Sequence, residues 1–375
     1  MRLGFACSWD ARPELTWSHT PWNLREALRS RVDVVDLGVE HPPLLRNAFK
    51  AAHARRVDGR WVSMWRHARS TRRYDEWTLR RSLRANPCDA VLQIQDLTIF
   101  DRPYLMLQDL SYDVLLDLVD RPGGLSHFPS LTRADVERSA ERQREVYASA
   151  AGVLAMSSWF ADHLVGVTGL PRAKVHVVNP GISADGDTAA VAAAHRRRLD
   201  GPRLRLLMVG KDFPTKGGDQ VVAALEILRR EVDPAITLTV VGPDVWPMSG
   251  PVPEGVDFLG RLPVAEIAAL YDSHDLFVLP SRFEGFGIAF VEALSRGLPC
   301  VGRDAFAMPE IITAGRDGDL VSTDDPAELA KVVAQLLVDD SVYANAFAGV
   351  AAVAAHYSWG RAATQVATIA QEVAR

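Results

Sequence analysis

The chain has 375 residues and a mass of 41.1 kDa, enough for two domains of ordinary size. Apolar residues make up 48% and charged residues 24%, and no apolar run approaches the ~20 residues of a membrane helix. A disordered chain, a collagen, a coiled coil and a transmembrane protein are therefore excluded, and the net charge of −5 argues against a nucleic-acid partner. The apolar stretch after Met1 is too short for a signal peptide, and three cysteines that are far apart in sequence fit a reducing compartment. We expect a cytoplasmic protein.

The N-terminal half alternates strand and helix signals. The predicted strands are 3–8, 32–39, 89–95, 104–108, 152–156 and 174–178. The predicted helices are 21–30, the Arg/Trp-rich stretch 55–84, and 135–150. This alternation predicts parallel βαβ units in a domain spanning 1–185. The Ala/Gly/Asp-rich stretch 186–202 predicts a linker.

The second half restarts the same pattern in a predicted domain spanning 203–358. Its predicted strands are 204–210, 236–242, 256–260 and 275–280. Its predicted helices are 217–230, 263–271, 288–296, 326–338 and 341–356, and a further helix covers 359–374. In doubly wound sheets ligands bind beyond the carboxyl ends of the strands, so we expect the site in a cleft between two such domains.

The strongest local signal is the segment 280–292, PSRFEGFGIAFVE, which is predicted to run from strand through loop to helix. Glu284 lies in the loop, and Gly285 and Gly287 leave backbone N–H groups accessible to an anion at the helix start. Glu292 lies within an apolar run and needs polar partners, which sugar or ribose hydroxyls would supply. The alternative is that both glutamates merely favour a helix N-terminus.

A second strand-to-helix loop, VGKDFPTKGG at 209–218, holds two of the five lysines of the chain. Lysine delivers a compact charge to a phosphate, so Lys211 and Lys216 are candidates to neutralise a diphosphate leaving group. A solvated loop is the alternative. The spacing of a Walker A phosphate loop is absent.

Three further features have a plain structural interpretation beside a functional one. In the loop 16–22, Thr20 is predicted to cap a helix that begins at Pro21. The Asp-Gly-Asp sequences at 185–187 and 317–319 match a metal-binding pattern, but they are predicted to be turns. The segment 55–84 belongs to the stretch 41–87, whose net charge is +9; a solvated helical face with buried tryptophans is favoured over contact with a membrane or an acidic acceptor.

Together these motifs resemble the family-4 glycosyltransferases, which are retaining, metal-independent enzymes of the GT-B fold. The resemblance is carried by the paired Glu284 and Glu292, the lysine loop, Pro280-Ser281, Asn179-Pro-Gly181 and Tyr357-Ser-Trp359. It implies an α/β protein of two Rossmann-like doubly wound domains that face a central cleft. The C-terminal helix, about 359–375, is expected to cross back onto the N-terminal domain.

The resemblance also implies residue roles. Glu284 would contact donor-sugar hydroxyls, Glu292 would hold the ribose, and the two lysines with the backbone from Phe286 to Ile288 would bind the diphosphate. The remaining donor-binding candidates are Gly210, Ser281, Gly285 and Gly287. The acceptor-binding candidates, in loops of the N-terminal domain, are Trp17, His19, Asp96 and His127.

Two positions depart from the family pattern. His19 stands where glycine is common, and Asp109 stands near the position where a histidine is frequent. Asp109 follows an apolar strand, so we expect it at the strand's carboxyl end, binding a sugar hydroxyl or a cationic acceptor group. Action as a base is the weaker interpretation, and a cap for the helix from Ser111 onward is the structural alternative.

The function predicted from the sequence is a retaining transfer of a sugar from a GDP- or UDP-sugar to a small-molecule or glycan acceptor. No metal and no cofactor are expected beyond this nucleotide-sugar co-substrate. The alternatives are a nucleotide-sugar 2-epimerase of the same fold and a non-enzymatic sensor. Lysines placed to stabilise a leaving group disfavour the sensor, because they serve turnover rather than binding.

Overall fold

The computed structural model describes residues 1–57, 59–121, 124–182 and 188–375. It divides into two compact units. The N-terminal unit comprises Met1–Gly181 with Trp359–Arg375, and the C-terminal unit comprises Ile182–Ser358. Each unit is built around its own parallel sheet.

Alternating strands and helices form the N-terminal unit. Its strands are β1 (Arg2–Ala6), β2 (Asp33–Asp36), β3 (Ala54–Val57), β4 (Arg60–Ser63), β5 (Ala90–Ile94), β6 (Tyr104–Gln108), β7 (Gly152–Ala155) and β8 (Val175–Val177). Its helices are α1 (Thr20–Leu28), α2 (Pro43–Ala52), α3 (Arg69–Ala85), α4 (Tyr112–Leu118), α5 (Arg133–Ser149) and α6 (Ser158–Gly166). The parallel sheet has the order β2-β1-β5-β6-β7-β8. Strands β5, β6 and β7 are buried along their whole length, as expected for a sheet with both faces covered.

The Arg/Trp-rich segment 55–84 is only partly helical. Strands β3 and β4 pair as an antiparallel hairpin, and its turn includes Gly59 with a φ of +78°. The prediction of helices over this stretch was therefore wrong before α3, because a glycine at positive φ between short strands favours a hairpin. The expected burial of its tryptophans was also largely wrong: Trp65 is buried, whereas Trp61 is 75% and Trp77 is 57% exposed.

The C-terminal unit repeats the architecture. Its strands are β9 (Arg205–Val209), β10 (Thr237–Val241), β11 (Val256–Gly260), β12 (Leu276–Val278), β13 (Cys300–Arg303) and β14 (Gly318–Val321). Its helices are α7 (Thr188–Asp200), α8 (Gly218–Glu231), α9 (Val264–Ser273), α10 (Ile288–Leu294), α11 (Met308–Ile311), α12 (Pro326–Leu337) and α13 (Asp340–His356). The sheet is parallel, in the order β11-β10-β9-β12-β13-β14. Strands β13 and β14 were not predicted from the sequence.

The predicted linker 186–202 is largely a helix of the C-terminal unit. In α7, Arg198 is fully buried, and its guanidinium donates hydrogen bonds to the carbonyls of His274 (2.9 Å), Arg296 (3.1 Å) and Gly297 (3.0 Å). Burial lowers the pKa of Arg198 to about 10. The linker prediction was wrong because an Ala-rich stretch favours a helix, and this arginine anchors that helix to the domain.

The C-terminal helix α14 (Trp359–Val373) packs on α1 within the N-terminal unit, so its predicted return is confirmed. Gln365 Nε2 donates to the carbonyl of Val177 at 2.7 Å. A Cβ atom on Gly181 would lie 2.4 Å from the backbone nitrogen of Trp359, so only glycine permits this approach. Within the described residues no single helix is long and apolar enough to cross a membrane; α12 and α13 meet that criterion only as a pair, and a 78° bend separates them.

The strand orders show where, in each sheet, the direction in which successive strands are added reverses. In the C-terminal unit the chain starts at β9, proceeds to one edge through β10 and β11, and then crosses to β12 on the other side of β9. The equivalent reversal in the N-terminal unit lies between β1 and β5. Ligands of doubly wound proteins bind outside the carboxyl ends of the two strands that flank such a point. The loops after β9 and β12, and those after β1 and β5, are therefore the places to examine.

Candidate active site

In the C-terminal unit the two flanking loops are those that carry the predicted motifs. The lysine loop follows β9 and leads into α8, and the Glu284 loop follows β12 and leads into α10. Gly210, the first residue after β9, is closely packed: a Cβ atom there would lie 2.9 Å from Cγ of Lys216. The fold therefore brings the two motifs to the same edge of one sheet.

An ion pair joins the loops. Nζ of Lys216 lies 2.7 Å from Oε2 of Glu284, and Oγ of Ser281 donates to the same oxygen at 3.3 Å. The Lys216 and Glu284 side chains are 20% and 12% exposed, so the pair is largely shielded from solvent. Because both charged groups are shielded, each depends on the other as its partner. A hydroxyl or phosphate group that enters this site could take the place of either partner.

Hydrogen bonds of Arg282 hold the two loops together. Nη1 of Arg282 donates to the carbonyl of Pro214 at 2.7 Å and to Asp219 Oδ1 at 2.6 Å, and its Nε donates to Asp324 at 2.9 Å. The N–H of Arg282 also donates to the carbonyl of Thr215 at 2.8 Å. Arg282 thus connects the Glu284 loop to the lysine loop and fixes the position of Lys216 relative to Glu284.

Two glycines with positive φ begin the helices. Gly217 precedes α8 with φ +73°, and a Cβ atom there would lie 2.6 Å from the carbonyl oxygen of Pro280. Gly287 precedes α10 with φ +98°, and a Cβ atom there would lie 3.5 Å from Cγ of Glu284. Both positions require glycine, which keeps the backbone of the two helix starts close to the ion pair.

The other donor-binding candidates lie beside this turn. Gly285 and Phe286 are buried, and the Phe286 ring packs against Tyr357 with ring centres 5.9 Å apart. Ile288 is half-buried at the first position of α10. Lys211 is exposed, and in the described residues its side chain has no ion-pair partner. Lys211 therefore adds an exposed positive charge beside the Lys216–Glu284 pair.

Glu292 lies one turn further into α10. Its Oε2 accepts a hydrogen bond from Oη of buried Tyr271 at 3.0 Å. Burial raises the pKa of Glu292, although Tyr271 and Arg296 act in the opposite direction. A carboxylate held this way retains lone pairs for further hydroxyl donors, as the ribose role requires.

In the N-terminal unit, Trp17, Ser18 and His19 form an unusual backbone segment after β1. Their φ values are +42°, +54° and +67°, three consecutive residues other than glycine in the left-handed region. His19 is the N-cap of α1 without a side-chain cap bond, so the predicted cap at Thr20 was wrong and the helix begins at Thr20 itself. At His19 a φ of +67° is a conformation that glycine adopts without strain. Such strain persists only where surrounding structure supports it.

Asp96 and Asp109 follow β5 and β6. Oδ2 of Asp96 lies 3.3 Å from Arg142 Nη1, and burial raises the pKa of Asp96 while Arg142 opposes that rise. Asp109 is half-buried and comes directly after the last residue of β6, as predicted. The helix-cap alternative for Asp109 is wrong, because Oγ of Ser111 accepts the capping bond from the N–H of Val114.

Asp109→Asn is expected to lower sugar transfer about 100-fold or more while nucleoside-diphosphate affinity stays unchanged, because the substitution keeps the shape and removes the charge. Parallel measurements of turnover and of diphosphate binding check this. Normal transfer by Asp109→Asn would exclude both a base and a charge-pairing role. The matched control is Asp101→Asn, which removes a carboxylate from an exposed position before β6.

His127 is exposed, and its ring packs edge-on against Phe128 with centres 4.8 Å apart. The ring of Phe128 also packs on His67.

The two Asp-Gly-Asp sequences differ in outcome: 185–187 lies outside the described residues, whereas Gly318 and Asp319 begin β14 rather than forming only a turn. Among the described residues no group of three His, Cys, Asp or Glu side chains is placed to hold a metal ion.

Some site residues were not predicted. Tyr271, the partner of Glu292, lies 21 positions earlier in another helix, and no sequence pattern joins the two. Arg282 was visible as a cation inside the Glu284 motif, but its role depends on Asp219 and Asp324, which only the fold brings near.

Two doubly wound parallel units with these loops define the GT-B class. The fold is similar to that of sucrose-phosphate synthase from Thermosynechococcus elongatus, with a TM-score of 0.76 at 16% identity and a coverage of 99% of each chain. Residues 194–348 match the family model described as glycosyl transferases group 1, in agreement with the predicted resemblance. The matched segment contains both lysines and both glutamates.

Curated relatives agree with this family. A 262-residue stretch is 30% identical to a D-inositol 3-phosphate glycosyltransferase of Streptomyces avermitilis, covering 64% of this chain and 56% of the relative. A 221-residue stretch is 30% identical to a GDP-mannose-dependent alpha-(1-6)-phosphatidylinositol monomannoside mannosyltransferase of Mycobacterium tuberculosis, covering 52% of this chain and 56% of the relative. The chain spans about half the length of the curated relatives it matches.

Proposed function

We propose that the protein is a retaining glycosyltransferase that uses a nucleoside-diphosphate sugar, GDP- or UDP-linked, as donor and a small molecule or glycan as acceptor. The observation that carries the proposal is the Lys216–Glu284 pair, which joins the two loops at the reversal point of the C-terminal sheet. The group 1 family match and a relative named as GDP-mannose-dependent support it.

The chemistry assigns distinct tasks to these groups. The bond between the anomeric carbon and the diphosphate oxygen breaks, and the sugar becomes oxocarbenium-like as negative charge grows on the diphosphate. Lys211, Lys216 and the N–H groups at the start of α10 would stabilise that charge, which is the largest usual catalytic contribution. The acceptor hydroxyl forms the new bond on the same face of the sugar, and its proton passes to the departing phosphate oxygen.

Donor and acceptor recognition would use different units. In the C-terminal unit, Glu284 and Ser281 would hold sugar hydroxyls, and Glu292 would hold the ribose. In the N-terminal unit, the loops carrying Trp17, His19, Asp96, Asp109 and His127 would bind the acceptor. The matches give no support to the epimerase alternative.

Incubation with a donor alone tests the assignment. A transferase hydrolyses UDP- or GDP-sugar slowly to nucleoside diphosphate and free sugar, and it gains rate with an acceptor. The anomeric configuration of the product, followed by NMR, should equal that of the donor. Conversion of the donor into its 2-epimer without hydrolysis would overturn the assignment.

Activity is also expected to survive metal removal, because the two lysines supply the positive charge at the diphosphate. Turnover should be unchanged after treatment with EDTA and dialysis. Complete loss that magnesium or manganese restores would contradict this and direct attention to Asp185 or Asp317.

A further inference from the structure

A strongly cationic cavity lies wholly within the N-terminal unit. Its volume is about 910 Å³, and residues from the end of α2, the start of β3, helix α3 and helix α5 line it. Six arginines and two carboxylates belong to the described lining, which gives these groups a formal charge of +4. The arginines are Arg55, Arg69, Arg72, Arg73, Arg138 and Arg142.

The two carboxylates are already engaged. Glu76 accepts a hydrogen bond from Arg80 at 2.7 Å, and Asp135 accepts from the N–H of Thr132 at 3.0 Å and from Arg55 at 3.1 Å. Within the described part of the chain, no carboxylate of the lining pairs with Arg69, Arg72 or Arg73. Three guanidinium groups therefore share one concave space without a counter-charge from its wall.

Two arginines of the wall are held in fixed positions. Half-buried Arg72 donates from Nη2 to the carbonyl of His67 and to Oγ of Ser139, both at 2.8 Å. Arg142 donates to the backbone carbonyls of Asp96 (2.9 Å) and Leu97 (2.7 Å). Guanidinium groups fixed in this way lose little freedom when they bind a ligand. Arg69 and Arg73 are exposed and lie one turn apart on α3.

Neutral donors complete the wall. Ser70, Ser130 and Ser139 line the cavity, and hydroxyl groups accompany arginine in phosphate sites. His67 also lines it, and burial together with Arg72 and Arg66 lowers its pKa to about 4. The imidazole is therefore neutral at physiological pH, and the arginines carry the positive charge of the cavity.

We propose that this cavity binds a phosphate group, and that, if the transferase function proposed above holds, the phosphate belongs to the acceptor. Planar guanidinium forks match phosphate oxygens in pairs, whereas a single carboxylate would leave part of the charge of three unpaired arginines uncompensated. The ligand is thus a phosphomonoester or a diphosphate, free in solution or carried by a lipid headgroup.

The test compares two arginine pairs on the same helix. The cavity pair is Arg69→Gln with Arg73→Gln, and the control pair is Arg81→Gln with Arg84→Gln, which removes the same charge from exposed positions outside the lining. Titration calorimetry with inorganic pyrophosphate, at matched ionic strength, gives the affinity of each full-length variant. Affinity should fall roughly tenfold or more in the cavity pair and stay within twofold in the control pair, because each loss removes a charge-assisted hydrogen bond. Melting temperatures equal to that of the parent protein exclude unfolding as the cause of a lost affinity.

A second arm identifies the source of the phosphate. Sedimentation with phosphatidylcholine vesicles that contain phosphatidic acid is measured for the same variants. If the cavity pair weakens pyrophosphate binding, the ligand is a soluble phosphate compound. If the cavity pair weakens vesicle binding and the protein does not bind pyrophosphate, the ligand is a lipid headgroup. Either result supports the site.

Other outcomes would overturn the proposal. These are absence of both interactions, or equal losses in the two arginine pairs. Loss of pyrophosphate binding with Lys216→Ala and not with the cavity pair would place the anion at the lysine loop, which leaves the transferase proposal intact. Cavity-dependent binding without any sugar transfer would leave the cavity site standing while the transferase proposal fails.

Discussion

Lys216→Ala is expected to lower turnover roughly 30- to 1000-fold, corresponding to about 2–4 kcal/mol of barrier, with a smaller effect on donor affinity. The reason is that this lysine faces charge that develops on the leaving diphosphate. The structure adds a second consequence: the substitution leaves Glu284, which is 12% exposed, without its partner at 2.7 Å. Steady-state kinetics with a saturating acceptor measure both parameters.

Lys211→Ala separates the two effects. Lys211 is exposed and has no ion-pair partner in the described residues, so its loss removes the same charge without leaving a shielded carboxylate unpaired. It should also lower turnover, with unchanged stability. A rise in the Michaelis constant with unchanged turnover in both variants would show that the lysines act only in ground-state binding.

Glu292→Gln is expected to weaken binding of nucleoside diphosphate and intact donor alike, by roughly 10- to 150-fold, because hydrogen bonds to a charged acceptor contribute about 1.5–3 kcal/mol. The same substitution should raise stability slightly at neutral pH, since it removes a buried charge. Titration calorimetry and chemical denaturation measure the two effects. Unchanged diphosphate affinity would refute the ribose role.

The pH dependence of Glu292 follows from its raised pKa. The native chain binds this proton at a higher pH than the unfolded chain, whose carboxyl has the ordinary value of 4.5. The stability that the protonated form contributes is therefore lost as pH rises through the window above 4.5. This loss should be absent in Glu292→Gln. Tyr271→Phe is the matched control, because it removes the hydrogen bond to Oε2 and should raise the pKa further.

Much of the fold followed from the sequence because its signals are local. Fully buried strands such as β5 and β6 appear as short apolar runs, and the alternation with helices predicted parallel sheets. Strands β13 and β14 were missed because β13 includes a glycine and an arginine, and β14 begins at the glycine of an Asp-Gly turn signal. The hairpin β3–β4 was missed because arginine and tryptophan do not distinguish a short strand from a helix.

The site was predictable where its residues share one loop. Glu284, Glu292 and the lysines were visible as motifs, whereas the 2.7 Å contact between Lys216 and Glu284 joins residues 68 positions apart. The brace from Arg282 to Asp219 and the bond from Tyr271 to Glu292 depend likewise on strand order. The cationic cavity was visible only as a charged segment, because its concavity requires α5 to meet α3.

Binding of a nucleoside diphosphate by the C-terminal unit is the central claim, and thermal denaturation of the full chain with UDP, GDP, ADP and CDP tests it most directly. At 100 times its dissociation constant, UDP or GDP should add about 2.7 kcal/mol of stability, and the variant carrying both Lys216→Ala and Glu292→Gln should lose most of this gain at the same concentration. Absence of stabilisation by all four nucleotides, or an equal gain in that variant, would contradict the assignment of the donor site.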